Sequence, residues 1–338
     1  MKSLTWPALF IIVTVPAMVA AVARGQSDNS SFALGCLWPA LTAAPQKTVP
    51  SGPDASFFEA YRRTPSITKW PLRKILREIP ELTGLEPAAN QSPLPEILRR
   101  VGENLDTFLK NFVDTTSVET IEEARKDKLW GTQERIVQKF HYLMLAQQQG
   151  NTQNLVEYRT DLHGREENPG LIQNFMKTTG FGSMPFFFGP REQPQSDFRF
   201  LGRQTLQGRS TEVVAFAQHI EPAAVRGRFV AGKTSVPLLV QGVAWIHSSD
   251  YQILQMRTDL LAPQPAAALK RATTVVLFAG TKFQNRAGIF WLPQEVDVTI
   301  DLGNYVFANR HQYSDYQLFQ VQILQPAPEP NPTTLQRP

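Results

Sequence analysis

Two periodicities divide the chain. Over residues 197–321 apolar positions alternate with polar ones in short runs joined by turn residues, the pattern of half-buried antiparallel strands. Over residues 94–112 the spacing changes. Ile97, Leu98, Val101, Leu105, Phe108, Leu109 and Phe112 form one stripe at three- and four-residue intervals, which predicts a helix with one core-facing side. Pro95 suits its first turn. A shorter stripe of Leu72, Ile75, Leu76 and Ile79 predicts a short helix limited by Pro80. Residues 117–126 read both ways: Val118-Glu119-Thr120-Ile121 alternates as a strand, whereas Glu122-Glu123-Ala124-Arg125 favours helix. Residues 136–145 and 155–160 read as strands paired across Gly150-Asn151. Leu171, Ile172, Phe175 and Met176 stand at helical spacing.

Turn chemistry fixes registers within the strand-rich part. Gln207-Gly208 sits between two apolar runs as a two-residue hairpin turn would, placing Arg203 opposite Glu212. Gly303-Asn304 does the same, placing Ile300 opposite Phe307 and Asp297 opposite Arg310. One face then collects Val296, Val298, Ile300, Leu302, Tyr305 and Phe307, and the other Glu295, Asp297 and Asp301. Residues 238–246 and 251–260 pair around His247-Ser248-Ser249-Asp250, and residues 272–282 supply a further strand. The sum is eight to ten strands in up-and-down order. The fold expected is mainly β: a curved antiparallel sheet or incomplete β-barrel with an N-terminal helix and a helical lid segment over residues 170–190.

The ends differ from the middle. Lys2, an apolar stretch over residues 6–22 and small residues at Ala20, Ala21 and Ala23 have the layout of a secretory signal, residues 1–23. Pro7 and Pro16 interrupt the apolar run, which favours cleavage over a membrane anchor. Residues 24–93 read as a Pro-rich, loosely ordered arm with the one short helix, residues 94–325 as the sheet domain, and residues 326–338 as a disordered Pro-rich tail. An exported protein of the periplasm or cell envelope, peripheral to the membrane at most, is the expectation. Cys36 is the only cysteine, which excludes an intrachain disulfide. Ala33-Leu34-Gly35-Cys36 has some likeness to a lipidation box, but a polar stretch separates it from the apolar run.

Composition and motifs exclude more than they assign. A net charge of +4, with no Lys/Arg run, gives no footprint for nucleic acid. There is no Gly-x-Ser-x-Gly elbow. His141, His163, His219, His247 and His311 are far apart and in no metal spacing. Ala231-Gly232-Lys233-Thr234-Ser235 echoes a phosphate loop but lacks its upstream glycine. Glu295, Asp297 and Asp301 read as a solvated strand face with Arg310 opposite. No catalytic residue, metal ligand or cofactor is predicted. What remains is apolar area: Phe181, Met184, Phe186, Phe187, Phe188, Trp245 and Trp291 are the candidate lipid-binding residues, because hydrocarbon recognition needs area more than specific polar groups.

The helix, the interrupted sheet, and the meander with Gly242-Val243-Ala244-Trp245-Ile246-His247 and Tyr251-Gln252-Ile253-Leu254 resemble the periplasmic lipoprotein-carrier fold, shared with the sigma-factor regulator RseB. Gly84-Leu85-Glu86-Pro87-Ala88, Leu206-Gln207-Gly208-Arg209, Val236-Pro237-Leu238-Leu239 and Asn309-Arg310-His311-Gln312-Tyr313-Ser314-Asp315-Tyr316 also resemble uncharacterised exported proteins of acidobacterial type. The carrier resemblance implies an incomplete barrel that holds lipid on its concave side, and a non-enzymatic protein that binds lipid or an acylated protein. The alternative is an interaction or sensor protein with a solid core that docks an envelope protein partner. A hydrolase would need His247 or His311 to meet a carboxylate beside a nucleophile.

Overall fold

Both hairpin turns form as their chemistry requires. Gln207 and Gly208 take φ of 48° and 77°, the paired left-handed conformation of a two-residue turn. Arg203 then pairs with Glu212, and its Nε lies 3.0 Å from Oε1. At the second turn, Ile300 pairs with Phe307 and Asp297 with Arg310.

The structure is a computed structural model that describes residues 9–12, 55–127, 129, 131–149, 152–164, 176–221, 224–231, 234–284 and 286–319. Cys36, the Gly150-Asn151 turn, the helical spacing at Leu171, Ile172 and Phe175, the C-terminal tail and most of residues 1–23 lie outside them. The strands in chain order are β1 (Leu9–Ile12), β2 (Glu86–Pro87), β3 (Thr115–Asp127), β4 (Gly131–Gln149), β5 (Thr152–Thr160), β6 (Met176–Lys177), β7 (Ser196–Leu206), β8 (Arg209–Gln218), β9 (Gly227–Ala231), β10 (Thr234–Leu238), β11 (Val240–His247), β12 (Ile253–Leu260), β13 (Arg271–Thr281), β14 (Phe290–Asp301) and β15 (Tyr305–Leu318). The helices are α1 (Ala55–Arg62), α2 (Leu72–Glu78) and α3 (Leu94–Asn111).

Eleven strands form one open antiparallel sheet in the order β2-β7-β8-β11-β12-β13-β14-β15-β3-β4-β5. The segment that read both ways is strand β3. Its inward positions Ser117, Glu119, Ile121 and Glu123 alternate with half-buried neighbours. Buried carboxylates at a strand's inward positions are what gave this segment its helical character. A second, four-stranded sheet, β10-β9-β1-β6, curls over the concave side.

Both faces of the sheet are covered at its β7–β12 end. On the concave side lie α3 and the 3-10 turn Met184–Phe188. Helix α3 starts with Pro95 and Glu96 in its first turn and ends with Lys110, in keeping with its dipole. On the convex side lies the N-terminal arm, which corrects the expectation of a loose one. From Ala55 onward it is a set of short helical turns, burying Phe58, Tyr61, Ile67, Ile75, Ile79 and Leu82. Each turn supplies only one or two anchors, so no long periodicity shows in the sequence. Polar side chains fasten it. Tyr61 Oη donates to the Pro237 carbonyl (3.1 Å) and accepts from Leu239 N. Gln241 Oε1 accepts from Ile67 N, and Gln204 Nε2 donates to the carbonyls of Glu81 and Thr83. The Arg257 guanidinium meets Glu81 at 2.7 Å.

Candidate lipid-binding site

The concave face changes character across the sheet. On β8, β11, β12, β13 and β14, the inward residues Phe216, Gly242, Met256, Thr258, Val276, Val296 and Val298 make an almost wholly apolar wall. On β15, β3, β4 and β5 the inward residues include Asn309, His311, Tyr313, Glu119, Glu123, Tyr142 and Arg159, all buried. Burying so many polar groups is costly unless they are paired, and most of these pair with one another and with one chain segment, while Tyr142 Oη and Asn309 Oδ1 find no hydrogen-bond partner among the described residues.

That segment, residues 176–188, crosses the concavity as a strap and lid. Asn309 Nδ2 donates to the Met176 carbonyl (3.0 Å), and Met176 N donates to Glu123 Oε2. Arg159 donates to the Thr178 carbonyl, and the Thr178 hydroxyl lies 2.9 Å from His311 Nε2. The Glu157 carboxylate accepts Gly180 N (2.8 Å), Phe181 N (3.1 Å) and Gly182 N (2.9 Å). Three consecutive amides converge on one carboxylate because Gly180 takes φ of 95°, a left-handed conformation that curls the backbone into an anion nest.

Behind the strap is a closed charge cluster. Arg159 forks onto Glu119, and Tyr313 Oη and His311 Nδ1 also reach Glu119 Oε1, at 2.7 and 2.9 Å. Burial alone would raise the Glu119 pKa; the Arg159 charge and hydrogen bonds, with those of His311, outweigh it and hold it down to about 2. Burial lowers the His311 pKa against the opposing pull of Glu119. A neutral ring therefore donates from Nδ1 to Glu119 and accepts the Thr178 hydroxyl at Nε2.

The lid proper carries the predicted aromatics. Phe187 stacks on Phe216 at 5.4 Å, and Phe188, fully buried, meets Phe198 and Phe216 edge-on. Phe186 meets Phe108 of α3 at 6.2 Å. Two cavities flank this turn. One of about 110 Å³ lies towards α3 and β5, lined by Leu105, Leu109, Leu155, Met184, Phe186 and Phe187 among others. The other, about 80 Å³, lies between the small sheet and the apolar wall, lined by Phe181, Phe187, Phe229, Leu238, Val298 and Ile300 among others. Gly180, Met184, Phe187 and Arg226 line both and so stand between them. Each is smaller than the roughly 150 Å³ that holds a benzene ring. At these volumes neither admits an acyl chain.

Of the seven predicted residues, Phe181, Met184, Phe186 and Phe187 line these cavities. Phe188 is core beneath the lid. Trp291 lines a separate 30 Å³ recess with Phe186 and Phe278. Trp245 is a correction. It faces the arm, fully buried, with Nε1 donating to Gln204 Oε1 at 2.8 Å, because strand alternation turns it away from its neighbour Ala244 and from the concave side. The strap anchors Glu119, Arg159, His311 and Glu157 were not foreseen. The signal available was a carboxylate at an inward parity position of an alternating strand.

The hydrolase alternative has its geometric test here. His247 reaches Asp250 (2.7 Å) and Ser249 (3.4 Å) through the same Nδ1, which forms no relay. His311 does bridge Glu119 and Thr178 through opposite nitrogens. However, Glu119 is already committed to Arg159, and the nearby amides of Gly180, Phe181 and Gly182 are spent on Glu157. The arrangement anchors the strap. Among the described residues no group of three His, Cys, Asp or Glu side chains could hold a metal ion, and no helix is long and apolar enough to cross a membrane.

No protein-family model and no curated protein matches the chain. Several solved structures are similar to it. The first is a putative outer membrane lipoprotein-sorting protein domain from Vibrio parahaemolyticus, at 10% identity and a TM-score of 0.37, covering 65% of this chain and 91% of that one. The second is a DUF1329 family protein from Desulfovibrio piger, at 8% identity and a TM-score of 0.32, covering 67% and 93%. The third is a LolA superfamily protein from Nitrosomonas europaea, at 12% identity and a TM-score of 0.31, covering 70% and 96%. The chain is mainly antiparallel β, a large open curved sheet with an N-terminal helix.

Proposed function

We propose that this is a non-enzymatic, exported envelope protein that takes lipid, or the acyl chain of an acylated protein, onto the apolar wall of its concave face when the lid turn lifts. On this reading residues 1–23 direct export and are removed. The observation that carries it is the lid: an aromatic turn divides two apolar cavities, and polar side chains tether its leading strap at defined points.

The lid swings away, its aromatics leave Phe216, and the cavities merge into a trough able to take a chain. Affinity comes from buried hydrocarbon, about 0.8 kcal/mol per methylene. Titration with a fluorescent fatty-acyl probe tests this. Phe187→Asp, which puts a charge between the cavities, should abolish binding, whereas Trp245→Phe, on the other side of the sheet, should leave it intact. Equal binding by both variants and the parent would sink the proposal.

The second reading, a partner-docking protein with a solid core, draws on the same lid: Phe187 and Phe188 already fill much of the concavity. It predicts no probe binding at any concentration.

A further inference from the structure

We infer that the charged mouth of the cavity beside α3 and β5 is a head-group site for a zwitterionic amphiphile, one whose head joins a phosphate to a primary ammonium group. This rests on the lipid reading above and adds to it the class of head that the lipid carries.

The cavity of about 110 Å³ is two-sided. Its apolar part is made by the lid turn, α3 and β5. Its polar part is Asp106 of α3, Arg191 and Glu192 of the loop after the lid turn, and Arg226 immediately before β9. Two cations and two carboxylates beside an apolar hollow define a ligand with an apolar tail and a charged head. The pair between Arg226 and Glu192 is loose. Arg226 donates to the neutral Gln195 Oε1 at 2.6 Å and lies 3.9 Å from Glu192. Burial raises the Glu192 pKa against the pull of Arg226 and Arg191, and Asp106 adds to the rise. An ammonium group between the two carboxylates relieves that repulsion, and a phosphate gains the two guanidinium groups. A purely anionic head meets Glu192 and Asp106 as like charges, and an uncharged head gains little from the arginines.

The mouth is built before any ligand arrives. Gln193 Nε2 donates to the carbonyls of Leu98 on α3 (2.9 Å) and of Phe188 in the lid turn (2.6 Å). This clamps the loop that carries Arg191 and Glu192 to the helix that carries Asp106. Gly102 permits the close approach, since a Cβ there would stand 3.2 Å from both Pro190 and Gln193. The backbones bearing three of the four charges are thus fixed relative to one another, which spares a ligand the cost of ordering them.

The test measures binding of three short-chain lipids with identical acyl chains, each below its micellar concentration: a phosphatidylethanolamine, a phosphatidylglycerol and a diacylglycerol. The phosphatidylethanolamine should bind about fivefold tighter than either of the others. Arg191→Gln should weaken both phospholipids and leave the diacylglycerol unchanged. Asp106→Asn should remove the preference for ethanolamine over glycerol. Both positions are exposed, and an unchanged melting temperature checks that each variant is folded. Equal binding of all three lipids, or an ethanolamine preference that survives both substitutions, overturns the head-group site while lipid binding stands. Tighter binding of the phosphatidylglycerol overturns the zwitterionic assignment. Binding of none of the three takes down this inference and the lipid reading together.

Discussion

Arg159 concentrates more of the account than any other residue. It neutralises Glu119 in a site from which water is excluded, and it holds the Thr178 carbonyl of the strap. Arg159→Ala leaves a buried, unpaired carboxylate, a change that costs about 3–5 kcal/mol; chemical denaturation of the variant should show a loss of that size. Replacing Glu119 with leucine in the same chain should recover part of it, because the uncompensated charge is gone. Acid should act on the same cluster. Glu119 and His311 both have folded-state pKa values below their unfolded ones, so each stabilises the fold above its unfolded pKa and the contribution is lost as pH falls. The loss begins below about 6.5 for His311 and runs from about 4.5 down to about 2 for Glu119. A melting temperature that stays flat from pH 7 to pH 4 would contradict this. None of the cluster was legible from residue type alone. Glu119 stands in the sequence only as one position of an alternating stretch and His311 as one of five scattered histidines, and only the sheet's register brings them together.

At the scale of elements, hairpins were read correctly and the lid only in outline. Gln207-Gly208 and Gly303-Asn304 encode their registers locally, through left-handed backbone and complementary cross-strand pairs. The lid's place depends on contacts far apart in sequence: Glu157 to residues 180–182, Asn309 to Met176, Phe187 to Phe216. Its aromatic run could be seen in the sequence, but its tethers could not. The Glu157 nest should set how readily the lid moves. Glu157→Gln keeps one acceptor oxygen but turns an amide group towards backbone donors. Hydrogen exchange at Gly180, Phe181 and Gly182 should quicken, and acyl-probe uptake should speed up with the equilibrium fold stability little changed. Unchanged exchange at these three amides would mean that the strap is held by packing alone.

At the scale of the molecule, the arm and the concave face have separate tasks. The arm over residues 55–88 covers the convex side at the β7–β12 end, including Trp245 and Gln241, opposite the lid. Its composition concealed this, because prolines separate its anchors into short helical turns. Ile75→Asp, at a fully buried anchor, should collapse the thermal unfolding transition of the whole domain, while Leu76→Asp, half-exposed on the same helix, should change stability by no more than about 0.5 kcal/mol. Equal tolerance of both would make the arm an appendage. If the concavity opens to hydrocarbon, native mass spectrometry of the protein purified under gentle conditions will show it. The account predicts a reproducible added mass that organic extraction identifies as lipid, absent from Phe187→Asp. A clean unliganded mass, unchanged after incubation with phospholipid or an acylated peptide, would contradict it and leave a protein with a solid core.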